Sequence, residues 1–203
     1  FILALWAIWG CTSERVVHIH NGKPVQTTTS EPAKPAKMLP VDITLILDRS
    51  GSMGKLTEQV ISSYNDFLDD QKTVDGDAVV TLIQFDDKYE PNYEGVDIQQ
   101  AGELTTNSYE PRGSTALFDA IGRAITEAKS RIEKDSADVV FVITTDGLEN
   151  ASIEFSGEQI KSMIADCECT LGWHFMYLAA NQDAFMQHEE MGIAAQMCLE
   201  VTD

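Results

Sequence analysis

The sequence predicts an α/β fold: a doubly wound, mostly parallel six-stranded sheet with one short antiparallel edge strand and helices on both faces. Three observations carry this. Short apolar runs rich in Val and Ile occur at Val41 to Leu47 (VDITLIL), Ala78 to Phe85 (AVVTLIQF) and Ala137 to Thr144 (ADVVFVIT), as strands buried on both faces require. Segments between them repeat apolar residues at helical spacing. Finally, carboxylates close two of these runs: Asp48 at once, and Asp146 after Thr145. In open α/β sheets that edge is where ligands bind.

The first forty residues read differently. FILALWAIWG (Phe1 to Gly10) is apolar and is followed directly by Cys11. It resembles the end of a bacterial lipoprotein signal peptide, in which a small residue precedes the cysteine that receives the lipid. Gly10 fits, Ile8 is acceptable, and Trp9 departs from the usual small residue. If Cys11 carries a lipid, the chain is expected on the periplasmic face of the cell envelope; otherwise it is expected in the cytoplasm. An ordinary signal-peptide end and an unrelated apolar start are the competing readings.

Arg15 to Thr29 carries Asn21-Gly22 between β-prone flanks, a hairpin signal that puts His18 and His20 on one face. With no third ligand nearby, that pair reads as exposed side chains rather than a metal site. Ser30 to Pro40 (SEPAKPAKMLP) reads as a semi-rigid tether. The expected organisation is an apolar segment over 1–11, a hairpin and tether over 12–38, and one domain over 39–203. With 203 residues, 43% of them apolar, the chain can build a real core. No stretch reaches the ~18 apolar residues of a membrane-spanning helix.

Within the domain, Gly54 to Lys72 places Leu56, Val60, Ile61, Tyr64, Phe67 and Leu68 on one helical face, with Ser52 positioned to cap it. After the Ala78 to Phe85 strand, Asp86 to Gln99 returns through Pro91, Asn92 and Gly95 as the polar edge strand; Asp86, Asp87, Glu90 and Glu94 read as its solvated side. Gly113 and Ser114 break the chain before a helix with Leu117, Ile121, Ala124, Ile125, Ala128 and Ile132 inward, so Thr115 stands at a helix start. Ser156 to Cys169 is a helix with a Ser156–Gln159 capping box. Trp173 to Ala180 (WHFMYLAA) is the fifth strand, with His174 read as a packed core histidine. Gln182 to Met191 is a short helix stopped by Gly192, and Ala195 to Val201 is the last strand. Cys167 and Cys169 lack zinc-ligand spacing and read as buried or half-buried thiols; a disulfide from either to Cys198 is left open.

The chemistry concentrates in Asp48-Arg49-Ser50-Gly51-Ser52. A carboxylate and two hydroxyls at alternate positions, with Gly51 allowing a tight turn, form a cluster of hard oxygen donors. Such donors suit Mg2+, Mn2+ or Ca2+ better than zinc or copper. The plain alternative is an Asp/Ser/Gly turn that caps the next helix. Asp146, at the end of a neighbouring strand, favours the metal, because two carboxylates there are costly without a cation between them. The net charge of −19, from 33 acidic against 14 basic residues, argues against nucleic acid and anionic membranes as partners. It fits a cation or a basic partner, and also plain solubility.

Together, Asp48 to Ser52, Thr115 followed by Asp119, and Asp146-Gly147 resemble the metal-ion-dependent adhesion site of von Willebrand factor A domains, a Rossmann-like fold. GSTALFDAIG (Gly113 to Gly122) and ITTDGLENAS (Ile143 to Ser152) are similar to small bacterial and phage members. The resemblance implies that Ser50, Ser52 and Thr115 contact a divalent cation, Mg2+ first and Mn2+ or Ca2+ next, through their hydroxyls. Asp48 and Asp146 then act directly or through water, and one position stays open for water or the Asp or Glu of a protein partner. It further implies that Asp119 supports the loops, and that Gly51, Gly147 and Asn150 shape the site, with Glu149 read as a solvated loop residue.

Three functions follow for comparison. The first is a cation-dependent protein-binding module for adhesion or assembly. The second is a phosphohydrolase-like enzyme with Asp48 as nucleophile; such chemistry wants a second carboxylate two residues on, where Ser50 stands. The third is a metal that only holds the loops. The expectation is binding without catalysis.

Overall fold

The computed structural model describes residues 39–133, 136–180, 186–194 and 197–200. The apolar start, Cys11, His18, His20, the Asn21-Gly22 hairpin and the tether through Met38 lie outside the described residues, as do the opening of the Gln182 helix and parts of the last strand.

Strands β1 (Val41–Asp48), β2 (Ala78–Phe85), β3 (Tyr89–Asp97), β4 (Asp138–Thr145), β5 (His174–Ala179) and the three-residue β6 (Cys198–Glu200) form one sheet in the order β3-β2-β1-β4-β5-β6. All neighbours are parallel except β2 and β3. The central strand β1 is buried from Asp42 onward, which is why its sequence shows no polar alternation. Strand β3 alternates poorly and stays half-exposed, as an edge strand does.

Helices α1 (Thr57–Lys72), α2 (Leu117–Arg131), α3 (Gly157–Asp166) and α4 (His188–Met191) cover the two faces. One face packs Ile46, Ile83, Phe141, Ile143, Phe175 and Tyr177 against Leu117, Ile121 and Ile125 of α2 and Ile160 and Ile164 of α3. Each such fully buried aliphatic side chain contributes about 1.5–3 kcal/mol. On the other face, α1 buries Val60, Tyr64 and Leu68, and the Tyr64 hydroxyl meets that of Tyr93, which pairs with Leu82 across β2–β3. The sheet is thus wound on both sides.

The Ser156–Gln159 capping box opens α3, and Gly192, with φ 73°, closes α4 in the left-handed conformation that favours glycine.

Several expectations are corrected. The Gly54 helix begins as a 3-10 turn over Gly51–Leu56 and becomes α-helical only at Thr57, so Ser52 does not cap it. His174 is exposed, because as the first residue of β5 it points off the core. Asp86 is not on a solvated edge but fully buried. Cys167 and Cys198 are buried and Cys169 is exposed, and all three are free thiols. Burial pushes the Cys198 thiol up to about 11, so it behaves as a small apolar side chain.

Candidate metal centre

Strands β1 and β4 are parallel neighbours, with Leu47 opposite Thr144, so Asp48 and Thr145 finish side by side at the carboxyl edge of the sheet. Asp48 is 0% exposed. Its Oδ1 accepts the Ser50 N–H at 2.6 Å and its Oδ2 accepts the Thr145 hydroxyl at 2.5 Å. Burial raises its pKa to about 6; those hydrogen bonds work against the rise, and the charge of Asp146 adds to it. The site is thus short of positive charge.

The 48–52 turn is stitched to the loop before α2. The Tyr109 hydroxyl donates to the Asp48 carbonyl at 2.6 Å, the Arg112 N–H to the Arg49 carbonyl at 2.7 Å, and the Gly51 N–H to the Gly113 carbonyl at 3.2 Å. This holds Ser50 and Ser52 facing the same way, their hydroxyl oxygens 3.1 Å apart. The Ser52 hydroxyl donates to Asp146 Oδ1 at 2.6 Å, linking the β1 and β4 ends.

Thr115 arrives from the third segment. Its N–H donates to Asn150 Oδ1 at 3.0 Å, and its carbonyl accepts the N–H groups of Asn150 at 3.0 Å and Ala151 at 3.2 Å. Asn150 therefore clamps Thr115 rather than facing only outward. Gly147 shows how closely the donors converge. A Cβ built there would lie 3.2 Å from Thr115 Oγ1, 3.5 Å from Ser52 Oγ and 3.9 Å from Asp48 Oδ2. Only a glycine leaves that cradle open. Gly147→Val is expected to lower Mg2+ affinity at least about tenfold with little change in thermal stability, as read by calorimetry and melting.

Asp119 does not join these oxygens. Its Oδ2 accepts the Ile153 N–H and its Oδ1 those of Glu154 and Phe155, each at 2.9 Å. Glu149, expected as a solvated loop residue, instead accepts four hydrogen bonds: from the N–H groups of Phe118 (3.0 Å), Ala151 and Ser152 (both 2.7 Å) and from the Ser152 hydroxyl (2.6 Å). These two carboxylates hold the 147–155 loop against α2 and thereby position Asn150 and Thr115.

Sequence reasoning missed four contributors. Thr145 precedes Asp146 and could have been noticed as the last strand hydroxyl. Tyr109 carried no local signal; burial and the negative charges of Asp48 and Asp146 push its phenol upward, so it stays a neutral donor. Arg49 and Arg112 flank Asp86 and Glu90 next to the site. Arg49 is 7% exposed and ion-paired to Asp86 at 3.2 Å and Glu90 at 2.8 Å, and Arg112 pairs with the same two at 2.9 and 2.8 Å.

Thr115 Oγ1, Ser52 Oγ and Asp48 Oδ2 lie around the Gly147 position, and Ser50 and Asp146 are hydrogen-bonded to Ser52, an all-oxygen set whose chemistry fits a small hard cation. Among the described residues no group of three or more His, Cys, Asp or Glu is arranged to hold a metal. The oxygens that converge beside Gly147 are instead mostly hydroxyls.

The von Willebrand factor type A domain family matches residues 42–194. Among solved structures, the chain is similar to proximal thread matrix protein 1 from the mussel byssus, at 14% identity over 82% of this chain and 44% of that one, with a TM-score of 0.60. It is similar to the manganese-loaded TRAP protein of Plasmodium vivax, at 17% identity over 80% of this chain and 68% of that one, with a TM-score of 0.59. It is also similar to the ArnB paralog VWA2 of Sulfolobus acidocaldarius, at 18% identity over 83% and 43% with a TM-score of 0.54. At these identities the likeness shows the fold. The chain spans less than half the length of the first and third of these proteins. Another structure of the mussel protein has zinc in its adhesion-site motif. No curated protein matches the chain. With three quarters of its length matched, the chain belongs to the von Willebrand factor type A domain family.

Proposed function

We propose that this domain is a divalent-cation-dependent protein-binding module for adhesion or assembly. In this reading Asp48, Ser50, Ser52, Thr115 and Asp146 hold Mg2+, and a partner's Asp or Glu completes the ion's coordination. The observation that carries the reading is the cradle under Gly147, where Thr115, Ser52 and Asp48 oxygens converge from separate segments. Bound there, the ion would act as a Lewis acid toward an incoming carboxylate. Few direct negative charges in the donor set leave it electrophilic. Asp48 and Asp146 offset its charge, while Tyr109, Asn150, Glu149 and Asp119 keep the loops from collapsing onto the gap.

The enzyme reading is weaker for a reason internal to the chain. A phosphohydrolase nucleophile needs access and a carboxylate two residues on; Asp48 is fully buried, and Ser50 occupies that second position. A metal that only holds the loops would leave no place for a partner. Manganese and zinc in related domains support a divalent site, and an all-oxygen donor set favours Mg2+.

Thr115→Ala separates metal binding from folding. The backbone contacts of Thr115 to Asn150 and Ala151 survive that change, so the domain should melt within a few degrees of wild type while Mg2+ affinity drops about 10–100-fold. Unchanged Mg2+ affinity by calorimetry would sink the reading.

A further inference from the structure

Large apolar side chains in solvent are few among the described residues, and three of the five, Leu148, Ile153 and Met186, flank residues joined through Glu149. Each is the chain neighbour of a residue in one hydrogen-bonded knot beside the metal cradle. Leu148, 52% exposed, lies between Gly147 and Glu149. Ile153, 91% exposed, follows Ser152, whose N–H and hydroxyl both donate to Glu149. Met186, 57% exposed, precedes Gln187, whose Oε1 accepts the Glu149 N–H at 3.0 Å.

Ile153 is the most informative of the three. Its N–H and the two that follow are all held by the buried carboxylate of Asp119. The backbone is thus pinned while the side chain makes almost no contact with its own domain. Single exposed apolar side chains are ordinary, but an ordered apolar rim beside a ligand site is the mark of an interaction surface. The same rim carries the exposed Glu189 and Glu190 just after Met186, on a chain of net charge −19. An acidic partner would be repelled, so a metal-seeking carboxylate must arrive on an otherwise basic segment.

We propose that Leu148, Ile153 and Met186 form a docking rim for a protein segment in which one carboxylate stands beside a large apolar side chain and is flanked by Lys or Arg. This rests on the metal reading above and adds selectivity to it: the cation anchors the carboxylate, and the rim reads the residue next to it. Charge and the pinned loop favour a separate protein over a second copy of this acidic chain.

The test pans short random peptides with one fixed Asp on the full-length chain in Mg2+, alongside the Leu148→Ser/Ile153→Ser variant, with Mg2+ calorimetry on both. Wild type should enrich Leu, Ile, Met or Phe beside the Asp, with Lys or Arg further out. Replacing that apolar residue by Ala should weaken a selected peptide about tenfold. The double variant should keep its Mg2+ affinity and lose that tenfold preference. Normal Mg2+ binding without apolar enrichment, or a preference that survives in the double variant, overturns this proposal alone. A wild-type chain that binds no Mg2+ overturns the metal reading and this proposal with it. Mg2+-dependent self-association that disappears in the double variant assigns the rim to a second copy and overturns the separate partner.

Discussion

Asp48→Asn is expected to abolish the thermal stabilisation that Mg2+ gives the wild type. At a cation concentration about a hundredfold above Kd, binding stabilises a native state by about 2.7 kcal/mol. For a domain of this size that corresponds to a rise in Tm of roughly 5–10 °C. The amide oxygen can keep the Ser50 N–H while its NH2 donates to the Thr145 hydroxyl, which is free to turn its own proton to the Gly147 carbonyl, so melting without Mg2+ should change little. Burial already holds the wild-type carboxyl up at about 6, so its charge is poorly tolerated until a cation offsets it. Paired melting curves with Mg2+ and with EDTA read the difference directly. An Asp48→Asn chain that gains as many degrees from Mg2+ as the wild type would remove Asp48 from the site.

The second large effect is on stability. Asp86→Ala should cost about 3–5 kcal/mol, the range for removing one partner of a buried ion pair. The buried Arg49 would be left with only the half-exposed Glu90, and Arg112 would lose its Nε contact. Glu90→Ala, by contrast, should cost within about 1 kcal/mol, because that carboxylate stands in solvent. Denaturant titration of both variants separates the two cases. A further consequence concerns pH. Although burial pushes the Asp86 carboxyl up, the Arg112 hydrogen bond, the Lys88 N–H and the Arg49 charge hold it below the usual range. A depressed carboxyl contributes stability that is complete above its unfolded value of about 3.9 and is lost as pH falls through the folded value. The difference between wild type and Asp86→Ala should therefore hold at neutral pH and shrink below about pH 4. The Ala116 N–H also donates to the Asp86 carbonyl, so the network lies against the loop that delivers Thr115.

The strands and the site were legible for different reasons. Strands β1, β2 and β4 are buried on both faces, so their sequences are unbroken apolar runs that need no tertiary knowledge. The proposed donors Asp48, Ser50 and Ser52 lie within five residues, and Asp146 directly follows a strand, so local spacing brings them to notice. What local spacing cannot expose is a carboxylate whose partners are far along the chain. Asp86 pairs with Arg49 and Arg112, and Glu149 accepts from Phe118, so both read as solvated until the fold closes around them. His174 fails in the opposite way: an apolar neighbourhood suggested burial, but the first residue of a strand can point away from the core. Tyr109 reaches Asp48 from sixty-one residues along the chain, and nothing near it announces that role.

In the proposed site the cation is held with one position open to a visiting carboxylate. Mn2+, as a paramagnetic stand-in for Mg2+, tests it through the relaxation of solvent water protons. Bound to the wild-type chain, Mn2+ should enhance that relaxation because water occupies the open position, and a carboxylate peptide should suppress the enhancement by displacing it. Asp48→Asn should show neither effect. Mn2+ that binds the wild type with no exchangeable water, or whose enhancement the peptide leaves untouched, would contradict an open site.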